Sequence, residues 1–277
     1  MKRLLLIPAL LGALVAVAPA AQAAPVRDVH IAVTPDGFAA PATLPAGPVT
    51  LHVRSTDPGG AWVGLVRPRP GVTLERYLDA LARAMGDDPV EGGRAVARDV
   101  EMLGGVAVAH VPASATLRVA PGDHYLIDFR DVGLPDLAER VHRVRVLPSQ
   151  AGRTPAPAAR IVLRDGVFET PATLSGPVQV INQSCQHNEA MLMPVRAGTT
   201  LVDLDAFFTE VDAGRRPAGS LFTGGPTGVV PLSPRRSAVL STDLPPGEYA
   251  LVTWVRDVAT GTMFAARGMR ALITVEG

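Results

Sequence analysis

An internal repeat constrains the fold of this 277-residue chain more than any other sequence feature. The segment FAAPATLPAGPV, from Phe38 to Val49, is matched by FETPATLSGPV, from Phe168 to Val178. Further matches follow in the same order along the chain: Leu65–Leu74 with Leu192–Leu201, Gly104-Gly105 with Gly224-Gly225, and Pro121–Leu126 with Pro246–Leu251. Self-similarity of this length indicates a duplicated domain rather than the short repeats of a solenoid. We therefore expect two halves with the same fold.

The predicted domain boundaries follow from the repeat and from a proline-containing stretch between its copies. The copies occupy residues 24–148 and 159–277, and residues 149–158 (SQAGRTPAPA) have the composition of a linker. Short runs rich in Val and Leu alternate with Pro-Gly, Asp-Gly and Gly-Pro turns, which favours β-strands. The chain is therefore predicted to form two sandwich domains joined by a short connection.

One helix is predicted to interrupt the strands of each copy. In the first copy, apolar residues recur at helical spacing from Leu74 onward, and Thr73 precedes them as the N-cap. In the second copy the helix begins at Leu201 after Thr200, and Asp203 completes a sequence close to a capping box. The predicted fold class is all-β: two tandem Greek-key β-sandwich domains, each with one inserted helical excursion.

Residues 1–23 have the sequence of a secretory signal peptide. Lys2 and Arg3 form the charged start, an apolar run follows from Leu4 to Ala18, and Ala21-Gln22-Ala23 is a small-residue cleavage site. The alternative is a membrane anchor, but the apolar run is short for a span of about 20 residues. We predict a periplasmic or secreted protein that is not embedded in the membrane after cleavage.

Composition argues against several classes of protein. The 26 basic and 26 acidic residues balance, whereas nucleic-acid-binding proteins are normally basic. Lys2 is the only lysine, which excludes Schiff-base and P-loop chemistry from the mature chain, and the single cysteine excludes an internal disulfide framework. Multicopper oxidases use many His and Cys ligands, and the chain has six histidines and one cysteine. On these grounds the protein is predicted not to be an enzyme.

Each copy resembles the cupredoxin-like domains of secreted bacterial proteins. The second copy carries the whole pattern, which comprises Phe168, Pro171, Gly176, His187-Asn188, Gly198, Pro246-Gly247, Tyr249 and Gly268-Met269. In blue-copper members, an upstream His and a C-terminal loop with Cys, His and Met hold the metal. The resemblance places His187 at the upstream ligand and Met269 at the axial ligand. Thr253 or Trp254 stands in place of the thiolate.

The resemblance thus implies a blue-copper ligand set that is largely lost. Met263 stands where the loop His is expected, and in the first copy Gly60 falls at the position of His187, so no metal site is predicted there. Trp62, beside Gly60, is expected to fill that end of the first domain with apolar bulk.

Two functions are consistent with these features. The first is a non-enzymatic extracytoplasmic binding or scaffold protein with no cofactor and an unidentified protein partner. The alternative is a copper-handling protein that holds Cu(I) at His187, Met263 and Met269, with Cys185 as a further ligand, because thioether, thiol and imidazole groups suit that ion. The same methionines are equally compatible with core packing, the role that we predict for Met191 and Met193.

Overall fold

The computed structural model describes residues 26–35, 37–109, 111–149 and 152–277. The predicted signal peptide, residues 1–23, lies outside the described residues. None of the helices within the described ranges is long and apolar enough to cross a membrane. The extracytoplasmic location stays a prediction.

The described part of the chain is mostly β-strand, so the prediction of an all-β protein is confirmed. The strands of the first half are β1 (Arg27–Thr34), β2 (Gly37–Ala39), β3 (Thr43–Pro45), β4 (Gly47–Ser55), β5 (Ala61–Pro68), β6 (Val100–Val108), β7 (Ala113–Val119), β8 (Gly122–Asp128) and β9 (His142–Leu147). Those of the second half are β10 (Ala159–Arg164), β11 (Val167–Glu169), β12 (Thr173–Leu174), β13 (Val178–Asn182), β14 (Asn188–Pro194), β15 (Thr227–Leu232), β16 (Ser237–Thr242), β17 (Gly247–Val252) and β18 (Arg270–Val275). The helices are α1 (Leu74–Met85), α2 (Pro89–Asp99), α3 (Leu137–Arg140) and α4 (Leu201–Asp212).

Among the described residues these strands form two sheets, and both halves contribute to each sheet. The strand order is β11-β10-β13-β16-β7-β4-β1-β2 in the first sheet and β12-β18-β17-β14-β15-β6-β5-β8-β9-β3 in the second. The halves meet where β16 pairs with β7 and β15 pairs with β6, both antiparallel. Outward from this junction the strands of the two halves follow the same order, as the repeat predicts. Whether residues 24–148 and 159–277 behave as separate domains, with 149–158 as a linker, stays a prediction.

The helical excursions begin where the sequence predicts. Thr73 accepts a hydrogen bond from the backbone N–H of Arg76 at the start of α1, and Thr200 and Asp203 form a full capping box at the start of α4. In the first half the excursion contains a second helix, α2. Gly92 allows α2 to approach α1, since a Cβ at this position would lie 2.3 Å from the backbone nitrogen of Ala84.

Two apolar cores lie on opposite faces of the ten-stranded sheet. The first fills the space between the two sheets, and the second lies between the ten-stranded sheet and the helices. Successive residues of β14 alternate between them: Ala190 and Leu192 lie in the first core, and Met191 and Met193 lie in the second. Met191 and Met193 are therefore buried core residues, as predicted, and β14 presents odd-numbered residues to the helices.

Candidate functional site

A cavity of about 290 Å³ lies on the helix side of the ten-stranded sheet. We call it the hairpin cavity, because the α1–α2 hairpin contributes one wall of it. The second half contributes the histidine and the glutamate of the lining, and Trp62, Met102 and Phe129 complete it from the first half. Predominantly apolar cavities with a few convergent polar groups are the usual location of ligand sites.

His187 is the first polar group of the hairpin cavity. Its side chain is 9% exposed. Burial, with a smaller contribution from the positive charge of Arg69, lowers the pKa of His187 to about 4. No described residue forms a hydrogen bond with its ring. At neutral pH the imidazole is therefore uncharged, and its lone pair is free to bind a ligand.

Glu189 is the second polar group, two residues along and on the same face of the strand. It is 5% exposed, and burial raises its pKa to about 7. One carboxyl oxygen, Oε1, accepts a hydrogen bond of 2.7 Å from the backbone N–H of Trp254, which opposes but does not cancel that effect. Near neutral pH the group is present both as carboxylate and as carboxylic acid, so it can accept or donate a hydrogen bond.

Four methionines also line the hairpin cavity: Met85, Met102, Met191 and Met263. Met263 lies in the connection between β17 and β18, and its backbone N–H donates to Asp212 Oδ1 at 2.8 Å. The same oxygen accepts a hydrogen bond of 2.6 Å from Nη1 of Arg256, so the end of α4 holds this connection beside the cavity. Four methionines and one neutral imidazole thus line a single cavity.

The structure brings together only part of the predicted ligand set. His187 and Met263 line the same cavity, but Met269 is fully buried in the first core. There its sulfur accepts a hydrogen bond of 3.3 Å from Nδ2 of Asn188. Because adjacent residues of a strand face opposite sides of the sheet, His187 and Asn188 point to different cores. Ligation by this set stays a prediction.

Cys185 lies outside the hairpin cavity, is exposed and forms no disulfide. Its backbone N–H donates to Asp165 Oδ1 at 2.9 Å, and a side-chain hydrogen bond with the same carboxylate raises the pKa of the thiol. Within the described ranges, no three His, Cys, Asp or Glu side chains are grouped closely enough to hold a metal ion.

In the first half, the position that corresponds to His187 has no room for a side chain. Gly60 has φ +83°, and a Cβ there would lie 2.2 Å from the carbonyl oxygen of Val108, so no side chain can replace it as His187 does in the second half. Asp128 forms an ion pair of 2.8 Å with Nη2 of Arg130 and accepts a hydrogen bond of 3.0 Å from the backbone N–H of Trp62. Trp62 lies next to the lost ligand position and lines the hairpin cavity with its apolar ring.

Sequence reasoning missed Glu189 and the cavity wall supplied by α2. The alternation of a strand already places Glu189 and Met191 on the same face as His187, so this part of the site was accessible from the sequence. The α2 wall was not, because the pair Gly92-Gly93 argues against a helix in isolation, although Pro89 suits the first helical position.

Comparisons with known proteins give structural neighbours only. No protein-family model matches the chain, and no curated protein matches it. An auracyanin from the photosynthetic bacterium Roseiflexus castenholzii matches 43% of this chain and 95% of its own length, with 18% identity and a TM-score of 0.26. A multicopper oxidase matches 90% of this chain and 88% of its own length, with 12% identity and a TM-score of 0.22. Lac15 from a marine microbial metagenome matches 92% of this chain and 67% of its own length, with 11% identity and a TM-score of 0.24.

The prediction that the protein is not an enzyme is contradicted by the multicopper oxidase matches, which extend over 90–92% of the chain. That prediction rested on the small number of His and Cys residues, which is a statement about one kind of copper centre and not about the scaffold. We therefore withdraw it, and the matches assign no activity in its place.

Proposed function

We propose that this protein binds Cu(I) in the hairpin cavity through His187 and Met263. The observation that carries the proposal is an uncharged imidazole without a hydrogen-bond partner among the described residues, in the same cavity as four thioethers. Neutral thioether and imidazole ligands suit Cu(I) better than divalent ions. When bound, copper would supply one-electron redox chemistry.

The protonation states of His187 and Met263 suit Cu(I), as their ligand atoms do. A metal-bound imidazole must be neutral, and the lowered pKa of His187, about 4, means that no proton has to leave at neutral pH. Methionine does not titrate, so a fall in Cu(I) affinity between pH 8 and about pH 5 would come from protonation of Glu189 in the same cavity and not from the ligands. Met269, the third predicted ligand, would have to give up its hydrogen bond with Asn188 to take part.

A second candidate is a small, largely apolar molecule held by the same cavity. The volume of about 290 Å³ is large for a bare ion, and Trp62, Phe129 and Trp254 give it an aromatic lining. In this case His187 and Glu189 would form hydrogen bonds with one polar group of the ligand. This candidate keeps the binding role predicted from the sequence, whereas a protein partner stays a prediction.

The test is an anaerobic competition titration of the folded protein against a Cu(I) chelator. His187→Leu and Met263→Leu remove one donor each while keeping an apolar side chain, and each should weaken Cu(I) binding by at least about tenfold. Met193→Leu is the matched control, because Met193 is buried in the same core but does not line the cavity. Met269→Leu reports whether the third predicted ligand takes part.

The two candidates give different outcomes. If all these variants bind Cu(I) as the wild type does, the copper proposal is refuted. Binding of a neutral apolar dye that survives Met263→Leu, but is lost when Ala97→Leu adds bulk to the cavity lining, would then support the small-molecule candidate.

A further inference from the structure

A second pocket, of about 550 Å³, lies where residues 152–158 cross the outer face of the eight-stranded sheet. We call it the linker pocket. Four neighbouring strands, β10, β13, β16 and β7, form its floor through Arg160, Gln179, Val239 and Arg118. Each of these residues alternates with a buried neighbour of the first core, so their side chains face away from that core.

Five arginines line the linker pocket: Arg118, Arg153, Arg160, Arg235 and Arg236. None of the lining residues is an aspartate or a glutamate. This concentration of one charge is unexpected in a chain whose 26 basic and 26 acidic residues balance. The pocket is therefore a local region of positive potential in a neutral protein.

Four of the five guanidinium groups have no partner of their own. Arg236 forms an ion pair with Glu101 through Nε at 2.9 Å. The side chains of Arg118, Arg153, Arg160 and Arg235 form neither an ion pair nor a hydrogen bond with any described residue. Most other arginines of the described ranges are ion-paired. All four are solvent-exposed, so water and salt screen part of their mutual repulsion, and a multiply charged anion would relieve the remainder.

The turn between β15 and β16 places Arg235 beside the pocket, and across it the Arg236 N–H donates to the carbonyl of Ser233 at 3.1 Å. Arg235 has φ +65° and is the one described residue other than glycine with positive φ. A positive φ at the residue after the proline of a four-residue turn fits type II geometry, which prefers glycine or asparagine there, so the arginine backbone is strained. Its backbone N–H donates to the carbonyl of Asn182 at 2.8 Å, which holds the turn that carries it beside the pocket.

We infer that the linker pocket binds a multivalent oxyanion of the phosphate type. Guanidinium groups form two parallel hydrogen bonds with phosphate or carboxylate oxygens, and arginine keeps its charge at any physiological pH. Several such groups around a pocket of this size fit a small ligand with at least two anionic groups. The inference does not depend on the hairpin cavity.

The experiment is calorimetric titration of the full-length mature protein with tripolyphosphate at low and at physiological salt. We expect saturable binding of one tripolyphosphate per chain that weakens as salt rises. Arg118→Gln/Arg160→Gln should lower the affinity by at least about tenfold. The matched control is Arg196→Gln/Arg216→Gln, which removes the same net charge from exposed positions outside the pocket, and it should change the affinity less than about threefold.

Two further experiments distinguish phosphate from carboxylate ligands, and a binding role of Arg235 from a purely structural one. Citrate in place of tripolyphosphate tests whether carboxylates are accepted as well as phosphates. Arg235→Gly should raise the melting temperature by relieving the strained backbone and should also weaken tripolyphosphate binding, which a purely structural role would not do. Equal loss in both double variants, or absence of saturable tripolyphosphate binding, would each overturn the proposal.

Discussion

Replacing Glu189 by glutamine should stabilise the protein at pH 8 and not below pH 4.5. The carboxyl group is 5% exposed, and its apolar surroundings raise its pKa from an ordinary 4.5 to about 7. At about 1.4 kcal/mol per pH unit, ionising Glu189 in the folded state costs about 3 kcal/mol. Glutamine has no charge to bury, and its side-chain oxygen can still accept the hydrogen bond from the Trp254 N–H.

The pH dependence follows from which state holds the proton. Below pH 4.5 both the folded and the unfolded chain keep Glu189 protonated, and the group costs nothing. Between pH 4.5 and about 7 the unfolded chain loses this proton first, so the free energy of unfolding falls as pH rises. Above about pH 7 the whole cost is present. The gain from Glu189→Gln should therefore grow from near zero to about 3 kcal/mol across this window.

The assay is urea denaturation at several pH values from 4.5 to 8, followed by tryptophan fluorescence. Glu248→Gln is the control, because it removes an exposed carboxylate from β17, and its effect should stay within about 0.5 kcal/mol. Comparing each variant with the wild type at the same pH cancels the titration of every other group. A gain that is absent at pH 8, or that is equally large at pH 4.5, would refute the assigned burial of a titrating carboxyl.

Three further predictions follow from single features of the structure. In the Glu189→Gln background, acidification from pH 6.5 to 4 should reduce the free energy of unfolding by about 3 kcal/mol more than in a Glu189→Gln/His187→Leu variant, because only the unfolded chain protonates His187 in that range. Gly228→Ala should lower the melting temperature severely or prevent folding, since its Cβ would lie 2.1 Å from a carbonyl oxygen of the neighbouring strand, whereas Gly219→Ala meets no atom within 4 Å and should have little effect. Cys185 should react with one equivalent of a disulfide reagent in the native protein, and more slowly at pH 7 than free cysteine because its pKa is raised.

Local sequence signals predicted much of the fold. The starts of α1 and α4 followed from Thr73 and Thr200, because an N-cap is decided by a few adjacent residues. The duplication likewise predicted that the two halves share one strand order. The pairing of β6 with β15 and of β7 with β16 was not predictable, because it joins strands that are far apart in sequence and leaves no local pattern.

The alignment of the repeat also failed at one informative point. The sequence matched Gly104-Gly105 with Gly224-Gly225, but the structure makes Gly105 the counterpart of Gly228. A Cβ on Gly105 would lie 2.0 Å from the carbonyl oxygen of Val63, and one on Gly228 would lie 2.1 Å from that of Ala190. Both glycines are needed because two strands approach closely at that place, and the requirement depends on strand pairing that a sequence match does not contain.

The site itself was predictable only in part, for the same reason. His187 and Met263 could be proposed as neighbours from the family resemblance, and the structure places both at the hairpin cavity. The sequence alone did not show that Met269 lies apart from His187 and Met263. Its burial in the first core depends on which side of the sheet the residues after Gly268 face. The methionines of α1 and β6 enter the site only through tertiary packing.

In each half, at the corresponding strand ends, a tryptophan backbone N–H donates to a carboxyl group on the neighbouring strand. The two residues have exchanged strands between the halves. In the first half the Trp62 N–H on β5 donates to the carboxylate of Asp128 on β8. In the second half the Trp254 N–H, just after β17, donates to the carboxyl of Glu189 on β14. The backbone contact is thus kept, while the acidic group has moved to the other strand.

The surroundings of the two carboxyl groups then decide what each half can do. Asp128 is paired with the guanidinium of Arg130, so its negative charge is compensated inside the protein. Glu189 forms no ion pair with any described residue and faces the hairpin cavity, where burial raises its pKa to about 7. At this strand end the second half therefore has an acid that can change charge near neutral pH, next to an imidazole that stays neutral. The first half contributes the walls that keep both groups out of water, and the chemistry of the cavity needs both copies of the repeat.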